Sequence, residues 1–101
     1  MRARFLKPAE AEVEEAVAYF DSQREDLGDR FEQDLLDTVT LIAERPLIGK
    51  PITKQVRKFR LRKFRYNVIY VVDDQEVIVV AVAHHRRRPR YWRSRLLSLR
   101  S

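Results

Sequence analysis

The 101-residue chain has no cysteine, only two glycines and a single tryptophan. Without thiols it can form no disulfide, no thiolate zinc site and no cysteine nucleophile, a composition suited to a reducing cytoplasm. Two glycines are too few for a glycine-rich loop that cradles phosphate. No segment approaches the ~18 consecutive apolar residues that mark a membrane span. The stretch Met1 to Pro8 carries Arg2, Arg4 and Lys7 but no apolar run of signal-peptide length. A soluble cytoplasmic protein with no membrane partner is therefore expected. No metal is expected, because two adjacent histidines without a nearby carboxylate make a poor ligand set. No motif calls for another cofactor.

What is present is charge. Charged residues make up 36% of the chain, the net charge is +6, and 45% is hydrophobic, enough for one small core. This length fits one domain over residues 1–101. The charge is unevenly placed. Ala9 to Asp37 contains eleven acidic residues against Arg24 and Arg30, whereas Arg45 to Ser101 contains sixteen basic residues against Asp73, Asp74 and Glu76. The two halves can neutralise each other across the fold, or the basic half can present a face to an anionic partner.

The apolar spacing sets the expected elements. Arg2 to Leu6 suits a short edge strand. Pro8 suits the first turn of a helix, where its missing N–H is not needed. Ala9, Val13, Ala16, Val17 and Phe20 then recur at helical spacing to about Glu25. Gly28 is read as the left-handed residue closing that helix, and Asp29 with Glu32 as a capping box opening the next. Phe31, Leu35, Val39 and Ile42 form the stripe of a second helix that ends ahead of Pro46. So short a connection predicts an antiparallel helical hairpin, its acidic residues mostly a solvated face. Beyond the loop Pro46 to Pro51 the period changes to two at Phe59 and Leu61, then at Tyr66, Val68, Tyr70 and Val72. After the turn Asp73-Asp74-Gln75, Glu76 to Ala83 is an almost unbroken β-branched run, as in a strand buried on both faces. The fold class is α+β: an N-terminal strand and a two-helix hairpin packed on one face of an antiparallel sheet, with a short basic C-terminal helix or tail.

Two basic clusters stand out. Lys54, Arg57, Lys58, Arg60, Arg62, Lys63 and Arg65 fill the second strand and its turn. His84, His85, Arg86, Arg87, Arg88, Arg90, Arg93 and Arg95 fill the end of the last strand and the tail. Tyr91 and Trp92 lie among these arginines, either as a stacking surface for single-stranded nucleic acid or as anchors of the tail to the core.

The chain resembles the RelE/ParE toxin superfamily, and its ParE branch more closely. The resemblance is carried, in order, by Glu12 to Phe20, by Leu27-Gly28 with Phe31, and by Pro46 with Gly49. It continues through Arg57 to Leu61, Phe64-Arg65-Tyr66, Ile69-Tyr70, Ala81-Val82-Ala83-His84 and Arg87. It implies the toxin of a type II toxin–antitoxin pair, associated with plasmid stabilization or growth inhibition, and bound in a hetero-oligomer by an acidic, DNA-binding antitoxin of the ParD kind whose C-terminal segment wraps over it. The ParE branch implies a non-enzymatic inhibitor of DNA gyrase; the RelE branch implies a ribosome-dependent mRNA endonuclease. The scaffold alone does not separate them.

A metal-independent nuclease on this fold needs a proton carrier and cations for the phosphorane charge. The candidates are His84 or His85 for the proton, Arg57, Arg86 and Arg87 for charge, and Tyr91 for orientation, although a histidine at a strand end also serves structure. The binding candidates for target or antitoxin are Arg60, Arg62, Arg65, Arg88, Arg90, Trp92, Arg93 and Arg95. Against RelE chemistry, Asn67 follows Tyr66 where that branch has an arginine, so the ParE-like reading leads. A plain nucleic-acid-binding module is the remaining alternative; it explains the charge but shows no recognition-helix, zinc-finger or RNP pattern.

Overall fold

A computed structural model describes residues 1–99. The elements run β1 (Arg2–Phe5), α1 (Lys7–Gln23), α2 (Leu27–Glu44), β2 (Lys50–Pro51), β3 (Val56–Arg60), β4 (Tyr66–Val72) and β5 (Glu76–His84), followed by a 3₁₀ segment, Arg93–Leu99. The α+β architecture is the one the apolar spacing predicts. The strands form one five-stranded sheet in the order β1-β5-β4-β3-β2. Neighbours from β2 to β5 are antiparallel, but the edge strand β1 pairs with β5 in parallel, with Arg2 opposite Glu76 and Phe5 opposite Val79. The helical hairpin between β1 and the rest of the sheet is the crossover that allows this parallel pairing.

The hairpin forms differently from the expected glycine closure. α1 ends at Gln23, and the left-handed residue is Asp26 (φ 69°), a residue type that tolerates this region. Gly28 instead lies in the first turn of α2, and no Asp29–Glu32 capping box forms. The Gly28 N–H donates 2.9 Å to Asp21 Oδ1 of the preceding helix. A Cβ at position 28 would meet that oxygen at 2.4 Å, which is why glycine stands there. The acidic face is not wholly solvated either. Asp34 is buried and accepts the N–H groups of Arg62 (3.3 Å) and Lys63 (2.8 Å), tying the β3–β4 turn to α2.

The sheet is buried on both faces, and the core residues divide between them. Toward the helices, Phe31, Leu35, Val39 and Ile42 meet Val68, Tyr70, Val77, Val79 and Val82, with Val13, Val17 and Phe20 partly buried against them. Edge-to-face rings of Phe20, Phe31, Phe64 and Tyr66 close this core, with centroids of 4.9 Å for Phe31–Tyr66 and for Phe20–Phe64. On the other face Val56, Ile69, Val71, Ile78, Val80 and Ala81 lie beneath the tail, sealed by buried Trp92 with Tyr91, Leu96 and Leu99 packed around it. A bulge interrupts the alternation of β5, since Ile69 pairs with Ala81 but the next residue, Tyr70, pairs with Val79, and the consecutive residues Val80 and Ala81 both pack beneath the tail.

Candidate functional site

The two-residue period of β3 and β4 sorts the first basic cluster by face. Lys58 is opposite Ile69 and Arg60 opposite Asn67, on the side covered by the tail, whereas Arg57 is opposite Tyr70, on the helix side. Arg57 donates to the backbone carbonyls of Leu47 (3.1 Å) and Gly49 (2.7 Å). Tyr70 clamps the same loop: its hydroxyl donates to Pro46 O (2.8 Å) and accepts the Gly49 N–H (2.9 Å). A Cβ on Gly49 would sit 2.6 Å from that hydroxyl, which accounts for the Pro46–Gly49 pattern. Arg57 is thus occupied in holding a loop and lies apart from His84, His85 and Arg87, in a groove that it shares with Arg93.

The second cluster divides at Tyr91. On its C-terminal side the tail is locked to α1 through Glu12. The Glu12 carboxylate accepts the Tyr91 hydroxyl at 2.5 Å, two guanidinium bonds from Arg95 at 2.9 and 3.0 Å, and the Val82 N–H at 3.0 Å. Arg95 also donates to Val80 O at 3.0 Å. β1 covers β5 only as far as Val79, so Glu12 and Arg95 satisfy the edge that β1 leaves open. The Glu12 side chain is 11% exposed and that of Arg95 18%. Hydrogen bonding to Glu12 raises the Arg95 pKa above its ordinary value. Burial, followed by the hydrogen bond and charge of Glu12, pushes the Tyr91 phenol far above the usual tyrosine range. Tyr91, Trp92 and Arg95 therefore hold the tail in place, and Tyr91 stays protonated at neutral pH.

On the N-terminal side the turn from Arg86 to Arg90 is exposed. It overhangs a cleft of about 280 Å³ whose walls include Lys58, Asn67, His84, His85, Arg87, Arg88 and Arg90. The Arg87 guanidinium lies 3.8 Å above the Tyr91 ring, a cation–π contact that links the locked tail to the exposed turn. His84 Nδ1 accepts the Arg86 N–H at 3.1 Å, which leaves its Nε2 carrying the proton when the ring is neutral. Burial, with added repulsion from His85, Arg86 and Arg65, lowers the His84 pKa below 6.5. The His85 N–H donates 2.8 Å to Arg65 O, joining this turn to the β3–β4 turn.

The cleft thus gathers His84, His85, Arg87, Arg88 and Arg90, with the Arg86 backbone ordering His84. Arg60 lies alongside, in an open depression shared with Lys50 and His85. Arg62 and Arg65 are exposed on the neighbouring turn, and Arg93 faces a separate groove with Arg4, Lys54 and the C-terminal leucines. Sequence reasoning missed Lys58 as a site residue and Glu12 as its remote support. The strand period would have placed Lys58 on the Asn67 face once the register was known. Glu12 carried no local signal, being one carboxylate among many on its helix.

The chain matches the family described as "ParE toxin of type II toxin-antitoxin system, parDE" over residues 3–89. Toxin ParE2 of Mycobacterium tuberculosis (strain CDC 1551 / Oshkosh) is 33% identical over 89 residues, spanning 87% of this chain and 85% of that protein. Toxin ParE2 of strain ATCC 25618 / H37Rv matches to the same extent. Among solved structures, one titled "Chromosomal ParDE TA system from P. aeruginosa" superposes with a TM-score of 0.73 at 14% identity, covering 83% of this chain and 95% of that one. Fold and sequence define a toxin of the RelE/ParE type. The chain belongs to the ParE toxin family of type II toxin–antitoxin systems.

Proposed function

We propose that this ParE-family toxin acts in the cytoplasm on DNA gyrase without cutting nucleic acid, and that a cognate acidic antitoxin neutralises it. The observation that carries the reading is the match to the ParE family over residues 3–89. Two features of the cleft support it. Asn67, an uncharged amide, lies on the cleft wall where the RelE-like pattern would supply an arginine. The Tyr91 hydroxyl, the group a nuclease would use for orientation, is committed to Glu12. The antitoxin is inferred from the family and from the uneven charge, because an acidic segment meets a surface already rich in arginine. A partner segment that folds on binding is the common solution for such neutralisers.

An mRNA endonuclease is the second reading, favoured because His84, His85 and Arg87 border one cleft. Gyrase supercoiling in vitro and cleavage mapping on translating ribosomes separate the two. Inhibited supercoiling with intact message is the expected result. Message cut on the ribosome, and spared by His84→Ala or His85→Ala, would overturn the proposal. For the antitoxin, toxin and the protein encoded beside it should co-elute from a sizing column at low salt; separate peaks would refute that half.

A further inference from the structure

Three local features of the cleft and the adjoining depression disfavour the free protein; an anion would relieve the two that are electrostatic, and would use the third, which sets a cation at the lip of the cleft. First, Lys50 and Lys58 are direct register partners across β2 and β3, and like charges directly opposite one another destabilise a sheet. Second, Arg90 adopts φ 61°, a left-handed conformation that a long side chain rarely takes, at the lip of the cleft. Third, the cations meet no acid. The residues lining the cleft and the adjoining depression include no carboxylate, and the two ion pairs found among the described residues, Arg4–Glu76 and Arg95–Glu12, lie elsewhere. Rules broken together at one place, with no compensation among the described residues, point to a ligand that supplies it.

The form of the ligand follows from what is left free. Nitrogen donors line the site, but its rings are already engaged. Arg87 covers the Tyr91 ring, Trp92 is 3% exposed, and His84 and His85 lean on each other with centroids 4.5 Å apart. A strand read by base stacking needs open ring faces; a phosphate backbone needs only spaced cations. We propose that the cleft between β3, β4 and the Arg86–Arg90 turn, with the adjoining Lys50 and Arg60, binds the phosphate backbone of a nucleic-acid duplex, independently of sequence and without cutting it. Arg88, Arg90 and Lys58 supply the central contacts. This goes beyond the gyrase reading, since it assigns the toxin a contact with nucleic acid itself.

Fluorescence anisotropy of a labelled mixed-sequence DNA duplex, titrated with the whole chain at several salt concentrations, tests the proposal. The assay contains neither gyrase nor antitoxin, so its outcome is independent of the target. The wild type should bind with Kd of about 10⁻⁶–10⁻⁴ M, the range of sequence-independent binding, and lose affinity steeply as salt rises. The variant Lys58→Gln/Arg88→Gln/Arg90→Asn should bind at least ~10-fold more weakly, with the salt slope reduced by roughly three. Asparagine is chosen at position 90 because it tolerates the left-handed backbone. The control Arg2→Gln/Arg24→Gln/Arg30→Gln removes the same charge from exposed sites outside the cleft and should keep the wild-type slope. Should the triple cleft variant not fold, Lys58→Gln alone, which relieves the clash with Lys50, should still reduce the slope by about one. Equal weakening by cleft and control variants would overturn the proposal in favour of diffuse attraction. Tighter binding to the single strand than to the duplex, or cut product, would overturn it as well.

Discussion

Arg90 and Arg95 are five residues apart in the chain and lie in opposite electrostatic settings. Arg95 is mostly covered, doubly bonded to Glu12 and bonded again to Val80 O. Arg90 is exposed, its backbone is left-handed, and its guanidinium reaches only Ile52 O at 3.4 Å. The same residue type thus serves as a rivet in one place and as an unpartnered charge in the other. The difference lies in the sheet edge: where β1 stops at Val79, the open edge of β5 and one carboxylate of α1 together make a socket for Arg95. Beyond His84 no such socket exists among the described residues, and the turn is left facing solvent. Basic composition alone therefore says little about function; the location of the counter-charge decides which arginines remain available.

The contrast can be broken at its strongest point first. Glu12→Ala leaves the Tyr91 hydroxyl and the Val82 N–H without their acceptor, and Arg95 with Val80 O but no counter-charge; it should destabilise the fold by about 3–5 kcal/mol, as expected on removing one partner of a largely buried pair. Urea denaturation measures it. A loss no greater than that of an exposed substitution would mean the tail is not held through Glu12.

A smaller effect is expected from Tyr91→Phe, which removes one hydrogen bond to a carboxylate that keeps its other partners. The expected loss is about 1–2 kcal/mol, and the ring stays in place beneath Arg87. A loss as large as that of Glu12→Ala would show that the hydroxyl, and not the Arg95 pair, organises the tail.

The smallest effect is a pH dependence. His84 has its folded pKa held below 6.5, with burial the main cause. As pH falls through about 6.5 the unfolded chain takes up the proton first, so the folded state loses stability from there down to the folded pKa. Above 6.5 the contribution is fully present. Thermal unfolding should show a shallower decline between pH 7 and 5 for His84→Gln than for the wild type; parallel curves would mean that the ring is not perturbed.

Much of the fold was legible in the sequence. Phe31, Leu35, Val39 and Ile42 announce α2, and the β-branched run to Ala83 announces a strand covered on both faces, because burial imposes its period on the side chains. The partner of β1 was not legible: four residues carry no mark of direction, and parallel pairing becomes visible only once the hairpin is placed. The hairpin turn misled because glycine is the common left-handed residue, whereas here Asp26 takes that role and Gly28 is required for the approach of Asp21. In the site, the His84–Arg90 cluster was legible as charge. Of the two readings open for Trp92, the structure shows the anchor, buried against the sheet; the pairing of Arg95 was not legible, since it depends on Glu12, distant in sequence. Lys58 was hidden by register in a strand with a cation at three of its five positions.

The central claim is that the cations of the exposed cleft, and not those of the riveted tail, are free to meet a partner, and we propose that the toxin acts through them. The direct measurement is bacterial growth after induction of the Lys58→Gln/Arg88→Gln/Arg90→Asn variant, with unfolding of the purified protein followed in parallel. The account predicts a variant that unfolds at or above the wild-type temperature and no longer arrests growth. A stably folded variant that arrests growth as fully as the wild type would contradict it.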